Sequence, residues 1–483
     1  MRDMVLVLNF SDAASRAVTR KLRAERVLAR ILPGETTLEE IQAQEPLGLI
    51  LAGDSIGQNP AGLDGRILQA GIPVLALGDA AGLMLTLLDG SAGETALRGA
   101  VTPLAYKASP LFAGVENGER LLPCAREFHL PERVAPLCFA QEIIVGFAHE
   151  SLPLYGMQIE LEQNDPDGTL ILRNFALNIC GCTTWWDDDA FVTRAVEEIK
   201  RITGDGRAVC AVTGGLDSGV SALLAFKALG SNLKCLFIDT GLLREREGDD
   251  VIAFYRDTLG MDITRVSAKQ RFLEALRGVT DAGEKRRIIA ELIAKILREE
   301  QEKLPAFDVL IKGTSFNDIM FGGGPSAPAS DRPVKLIEPV RELFKDEIRR
   351  IADFLGIPAD FISRQPFPGS GLSTRILGEV TEERLNTLRA ADAIFRSELK
   401  SSSAVKRLWQ YFAVLSPMPG EENKSVIFLR AVQTSEKNRF FPARLPYDVV
   451  ENVTDYILRD QKDVCRVVYD LTPSDSFSGI EWQ

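Results

Sequence analysis

The run Thr213-Gly214-Gly215-Leu216-Asp217-Ser218 follows a short apolar segment, Ala208-Val209-Cys210-Ala211-Val212, and opens an apolar stretch from Val220 to Leu229 that stops at Gly230. The order reads as strand, glycine turn, helix. Two adjacent glycines let backbone N–H groups close around a phosphate, and a helix N-terminus behind them favours negative charge. The hydroxyls of Thr213 and Ser218 stand at the two ends of the turn, and Asp217 is placed to hold a magnesium ion. The spacing is not G-x-x-x-x-G-K-[ST], and no such run occurs in the chain. Without the lysine of that loop, the turn suits gripping a pyrophosphate more than transferring a terminal phosphoryl group. That points to AMP esters of a carbonyl oxygen.

On either side of this turn the pattern is strands alternating with helices. Upstream, Val5–Leu8, Leu47–Leu51 and Pro73–Leu77 read as short apolar strands of an open α/β sheet ending near Cys182. Asp187-Asp188-Asp189 reads as a helix start before Phe191–Ile199. A second α/β unit follows, with strands at Val209–Val212, Cys235–Ile238 and Val309–Ile311 and a long helix from Glu284 to Glu300. The Gly-, Pro- and Ser-rich stretch Phe321 to Pro333 reads as a mobile loop of the kind that forms lids. Beyond Leu372 the pattern changes to a helix, Glu382–Leu399, and strands at Ser425–Val432 and Cys465–Tyr469, an α+β domain. The expected boundaries are 1–186, 187–366 and 367–483, in keeping with the length of 483 residues.

Composition excludes several classes. A net charge of −12 disfavours a nucleic-acid scaffold, whose affinity would come from Lys and Arg. No run approaches the roughly 20 apolar residues that span a bilayer. The start, Met1-Arg2-Asp3-Met4, runs into a strand with no small-residue cleavage site. Seven scattered cysteines form no disulfide framework, so a reducing cytoplasm is expected. His129 and His149 are the only histidines, which excludes histidine-rich metal sites. Both are expected to serve packing.

With these pieces in place the chain resembles the GMP synthetase family, glutamine-dependent amidotransferases that convert XMP to GMP, over nearly its whole length and in the same domain order. The segment from Thr213 through the strand ending at Asp239 resembles the family's pyrophosphatase loop and second strand, with Thr213 in place of the usual serine. Lys312 to Ile319 (KGTSFNDI) resembles the family's G-T-x-x-P-D segment, keeping Thr314 and Asp318, and KLIEPVRELFKDEIR (Lys335 to Arg349) is nearly its consensus. PFPGSGL (Pro366 to Leu372), Arg375 and Leu377-Gly378-Glu379-Val380 match the hinge into the dimerisation domain. LRAVQT (Leu429 to Thr434), LPYD (Leu445 to Asp448), RVVYD (Arg466 to Asp470) and Ile480-Glu481-Trp482 match that domain.

The resemblance implies a class I glutaminase-like α/β domain, a PP-loop pyrophosphatase α/β domain and a C-terminal α+β dimerisation domain. It implies ATP and Mg2+, with the nucleotide on Thr213, Gly214, Gly215, Leu216, Asp217, Ser218, Asp239, Gly313, Thr314 and Asp318. The metal would sit on Asp217, with Asp217 and Lys345 as the catalytic pair and Lys345 neutralising the leaving pyrophosphate. Arg375, Arg430, Glu481 and Trp482 would bound a small-molecule substrate pocket. A homodimer is implied as well.

The glutaminase positions depart from the family. Its nucleophilic cysteine falls on Gly78, its histidine on Glu160, with Glu162 retained, and its oxyanion turn becomes Gly53-Asp54-Ser55. A glutaminase needs a thiolate, a base and N–H donors for the oxyanion, so no glutaminase activity is expected. Glu160 and Glu162 read as lost constraint rather than as a paired-carboxylate site. The acceptor side departs too. The lid lacks the family's two histidines and lysine, Gln365 replaces a histidine, and a serine beside an aspartate within Ser474–Gly479 stands where the family has a phosphate-binding lysine. The acceptor is therefore expected to be a purine-like or other planar amide of open identity. The nucleophile would be ammonium, ammonia from a partner, another amine or sulfide. Sulfur insertion calls for a cysteine near the loop, and Cys210 lies inside a strand. A non-catalytic nucleotide-binding paralogue is the other alternative. Cys180-Gly181-Cys182 is read as structural.

Overall fold

The computed structural model describes residues 3–53, 62–94, 97, 100–122, 126–159, 166–304, 306–320, 334–365, 367–402, 405, 408–421, 424–434 and 440–473. The chain divides into two compact units, Met1–Phe191 and Val192–Gln483.

Unbroken apolar runs build the first sheet. β1 (Val5–Asn9), β3 (Gly48–Gly53) and β4 (Val74–Gly78) are buried along almost their whole length, as expected of parallel strands covered on both faces. With β2 (Ala29–Pro33) and β11 (Leu154–Met157) they make a parallel block in the order β2-β1-β3-β4-β11. The helix Asp12–Ala24 presses Val18 and Leu22 into the same core as Val5, Val7 and Ile50. The sequence pattern missed the second half of this sheet. There β6 (Ala100–Tyr106), β7 (Gly118–Leu122), β9 (Val134–Ala140) and β10 (Ile143–His149) extend it with antiparallel pairs. β5 (Ser91–Glu94) and β8 (Arg126–His129) form a separate antiparallel pair. The imidazole of His149 caps a turn, its Nδ1 accepting from the N–H groups of Ser151 at 3.2 Å and Leu152 at 3.1 Å.

The second unit holds a five-stranded parallel sheet, β14-β13-β12-β15-β16. Its strands are β12 (Ala208–Val212), β13 (Leu233–Asp239), β14 (Ile263–Ser267), β15 (Val309–Lys312) and β16 (Lys335–Ile337). β12 and β15 are neighbours although far apart in the chain, so the strand order reverses between them. A doubly wound sheet opens its ligand crevice at that point, beyond the carboxyl ends of the strands. The expected long helix runs from Ala282 to Lys303, begun by Asp281, whose carboxylate accepts from the Glu284 N–H at 2.8 Å.

A second sheet completes this unit. β18 (Ser425–Thr434) pairs antiparallel with β17 (Gln410–Pro417) and β19 (Phe440–Pro442) and parallel with β20 (Val464–Tyr469). The helices Glu382–Ser401 and Tyr447–Asp460 cover it with Leu385, Leu388, Phe395, Val453 and Ile457. Packing runs on across the boundary expected at 366/367. Leu242, Phe272 and Ile289 share one core with Leu372, Phe395 and Leu415. Backbone contacts reinforce it: the Leu372 N–H donates to the Leu242 carbonyl at 2.8 Å, and a Cβ on Gly371 would come within 2.5 Å of that oxygen. Arg389 donates through Nε to the Leu243 carbonyl at 2.8 Å and also reaches the Gly241 carbonyl.

Lys285, on the long helix, is fully buried, and among the described residues no carboxylate pairs with it. Its ammonium donates to the carbonyls of Ser373 at 3.3 Å, Ile376 at 2.7 Å and Gly378 at 2.6 Å. Three donors meet three acceptors at the end of the 3₁₀ turn Gly371–Arg375, where carbonyl dipoles favour a cation. Burial lowers its pKa to about 8, so the ammonium form persists at neutral pH. Lys285→Met strands those carbonyls without a donor and is expected to cost at least about 2 kcal/mol in urea unfolding. The exposed control Lys303→Met is expected to stay within about 0.5 kcal/mol. Equal losses in the two would refute this role.

Candidate functional site

The turn after β12 is built by backbone geometry. Gly214 sits at φ +81°, and a Cβ there would lie 2.8 Å from Val251 Cγ2. Gly215 begins the helix Leu216–Leu229, and no side chain caps that helix start. Its first N–H groups are therefore open to a ligand. Ser218 is buried and braces the turn rather than facing out. Its Oγ accepts from the Thr213 N–H at 3.2 Å, donates to the Gly215 carbonyl at 2.9 Å and lies 3.1 Å from Thr213 Oγ1. Ser218 thus braces the turn, while Thr213, an exposed residue, also takes the Gly215 N–H on its Oγ1 at 3.4 Å.

The second loop of the site leaves β15. A Cβ on Gly313 would fall 2.5 Å from both N and Cα of Ser218, so only glycine lets this loop lie against the helix start. Thr314 follows, buried, with no hydrogen-bond partner for its Oγ1. Asp318 is held in place by the N–H of Ser315 at 2.8 Å and the Ser315 hydroxyl at 2.7 Å, both on its Oδ2. The helix Lys345–Phe354 brings the third element. Lys345 Nζ bonds Asp217 Oδ2 and stands 3.9 Å from Asp318 Oδ2. Burial raises the Asp217 carboxyl above its ordinary range, and the Lys345 charge and hydrogen bond oppose that, with a smaller contribution from Arg349. Arg349 was not foreseen. Its i+4 spacing from Lys345 in KDEIR was the available signal.

Thr213 to Ser218, Gly313, Thr314, Asp318 and Lys345 thus come together at the switch point. Asp239 ends β13, but its carboxylate is committed: Oδ1 accepts from the Gly241 N–H at 3.0 Å and Oδ2 from Arg265 Nε at 2.9 Å. The expected substrate residues behave otherwise. Arg375 is 0% exposed, its guanidinium 4.2 Å from the Phe412 ring centre and 5.3 Å from that of Phe367, with Asp392 at 3.9 Å. Burial lowers its pKa to about 9. In this structure it packs the core, with no exposed surface. Arg430 is bound to Asp470 and to the Thr472 carbonyl at 3.2 Å. Glu481 and Trp482 lie outside the described residues, as does the expected lid from Phe321 to Pro333.

The glutaminase position is also visible in the first unit. Gly78 turns β4 into the helix Asp79–Leu87 at φ +63° and ψ −136°, a sharp strand-to-helix elbow. Gly53 of β3 is its register partner. Asp79 accepts from Arg126 Nε at 3.0 Å, and the Arg126 N–H bonds the Gln158 side-chain oxygen. Asp54, Ser55, Glu160 and Glu162 lie outside the described residues.

The residues fit a magnesium nucleotide. Magnesium takes one or two carboxylates and completes its shell with phosphate oxygens and water, and Asp217 and Asp318 supply the carboxylates. The orphaned Thr314 hydroxyl and the open helix start supply donors for phosphate. Among the described residues no group of three or more His, Cys, Asp or Glu side chains is placed to hold a metal unaided.

Comparison with known proteins agrees with this geometry. The family described as GMP synthase C terminal domain matches residues 397–482. The GMP synthase [glutamine-hydrolyzing] of Clostridium perfringens is 36% identical over 510 aligned residues, covering 100% of both chains. That of Caldicellulosiruptor saccharolyticus is 37% identical, covering 100% of this chain and 99% of its own. The chain belongs to the GMP synthase family. Within the family frame, the KGTS segment and the glycine turn acquire a shared physical reason, the Gly313–Ser218 approach. Gly313→Ala is expected to push the two loops apart and weaken ATP binding by at least about tenfold, 1.4 kcal/mol, in calorimetric titration. An unchanged affinity would show that the approach has slack.

Proposed function

We propose that the chain is an ATP-dependent, AMP-forming ligase that adenylates a carbonyl oxygen of a purine-like or other planar amide and replaces that oxygen with ammonia or another amine, without a glutaminase of its own. The observation that carries this reading is the meeting of the glycine turn, Asp217, Asp318 and Lys345 at the sheet's switch point. Relatives named GMP synthase [glutamine-hydrolyzing] over the full length support the ligase chemistry, while the missing glutaminase rests on the residues at the elbow alone.

The Gly214-Gly215 turn and the helix start would bind the phosphates through N–H groups, with Thr213 and Thr314 adding hydroxyls. Asp217, with Asp318 beside it, would hold Mg2+, which supplies charge neutralisation on the phosphate chain when bound. The acceptor's carbonyl oxygen attacks the α-phosphorus, the bond to the bridging oxygen breaks, and pyrophosphate leaves toward Lys345. The nucleophile then adds at the carbonyl carbon, loses a proton, and AMP departs with the oxygen.

At the elbow, Gly78 offers no thiol, and the Asp79 carboxylate stands at the helix start where an oxyanion would need positive potential. That supports an external supply of ammonia, from solution or from a separate donor protein. Thiolation is disfavoured by the thiols nearest the loop. Cys210 and Cys235 face each other on β12 and β13 in full burial, and the Cys210 thiol is held well above its ordinary pKa by its hydrogen bond to Cys235 and by burial. A homodimer in the cytoplasm is proposed on family resemblance.

The test is pyrophosphate and AMP release from Mg·ATP with ammonium across a panel of purine bases, nucleosides and nucleotides, XMP included. At least one acceptor is expected to give turnover, and Lys345→Met to lower it by roughly 10²- to 10³-fold. ATP binding with no AMP from any acceptor would favour the non-catalytic paralogue. With glutamine as the only nitrogen source, glutamate release is expected to equal the no-enzyme control, and release above it would refute the external-ammonia half.

A further inference from the structure

Lys345 does more in this structure than stand near the pyrophosphate path. Its ammonium bonds Asp217 Oδ2 directly and stands 3.9 Å from Asp318 Oδ2. These are the two carboxylates that fit a divalent cation. Asp217 is largely buried, 19% exposed at the side chain, and its carboxylate is costly to leave bare there. The ammonium compensates it. Lys345 is also the movable partner. It is the first residue of its helix, its side chain is 39% exposed, and its four-carbon stem can swing without moving the backbone. Asp318, by contrast, is fixed by two hydrogen bonds from Ser315.

A divalent ion and an ammonium on the same carboxylate repel each other at this short range, so each weakens the hold of the other. Arg349, one turn along the same helix, adds further positive potential at Asp217. A bare metal ion is therefore a poor competitor for this position. A metal that arrives on a polyphosphate is a good one, because the phosphates cancel its charge and give the expelled ammonium a new partner.

We propose that in the nucleotide-free protein Lys345 holds the divalent-cation position on Asp217, so that metal entry and the turning of Lys345 toward the phosphate chain are a single exchange that requires nucleotide. The inference rests on the reading of Asp217 as the metal-holding residue of the proposed ligase. It assigns Lys345 two stations and makes the resting site closed to free metal. The ordering follows from charge alone: metal and nucleotide enter together.

The test uses Mn2+ alone as probe, with free Mn2+ followed by electron paramagnetic resonance. Without nucleotide, Lys345→Met and Lys345→Gln are each expected to bind Mn2+ at least about tenfold more tightly than the unaltered chain. The gain is expected to vanish in the double variant Asp217→Asn/Lys345→Met. Equal Mn2+ affinity in the unaltered chain and both single variants would overturn the inference, and so would a gain that survives loss of the Asp217 carboxylate. A separate arm adds ATP to the unaltered chain. Mn2+ retention there depends on the underlying ligase reading and not on the exchange, so failure of that reading shows itself independently.

Discussion

The second unit is organised by the adjacency of β12 and β15 in a parallel sheet. Their neighbours lie on opposite sides, so the loops that leave their carboxyl ends have room to diverge and enclose a crevice. Close packing of the strands brings those loops together at their roots, and the root contact is backbone on backbone. Gly313 lies against Ser218 with no space for a methyl group. From that one approach follow the placement of Thr314 beside the helix start, of Asp318 across from Asp217, and of Lys345 between the two acids. The charges are ordered by the sheet.

How much of this the chain declares locally depends on range. The strand-turn-helix at Ala208–Leu229 is legible because apolar run, glycine pair and helix pattern are contiguous. Apolar runs also mark β13, β15, β18 and β20, whereas β14, β16, β17 and β19 were not foreseen. The same reading fails where pairing is distant. Arg389 reaches Gly241 and Leu243 from 146 to 148 residues away, and Arg244 and Arg375 both approach the buried Asp392. Nothing near an arginine announces a carbonyl or carboxylate so far along the chain, so the burial of Arg375 among aromatic rings is not legible. The ion pair of Asp239 with Arg265 on the next strand is likewise not legible. Ser218 is a different case: its position in the motif is that of a phosphate ligand, and its hydroxyl also closes the turn.

In the first unit the substitution at Gly78 has a conformational side that residue identity alone does not show. The elbow's φ of +63° with ψ of −136° lies where residues with a Cβ are strained and glycine is not. Such an elbow holds a nucleophile up at the end of a sheet, and strain there is tolerated when chemistry depends on it. With glycine at position 78 the backbone makes this bend without strain. The neighbouring groups bond one another: Arg126 donates through Nε to Asp79 and through its N–H to the Gln158 side chain. The parallel block β3-β4-β11 needs a chain reversal there whatever residue occupies position 78.

The junction of Leu242 with Gly371 and Leu372 bears on how such a chain can change over evolutionary time. A lineage that acquires a new acceptor would seem free to exchange its C-terminal portion like a cassette. The shared core forbids that, because Leu242, Phe272 and Ile289 are covered by residues from beyond position 371 and the Leu242 carbonyl is satisfied from there. New specificity in this half must therefore come by piecemeal drift of surface loops and tail upon a fixed joint, whereas the first unit, with a core of its own, is free to change separately.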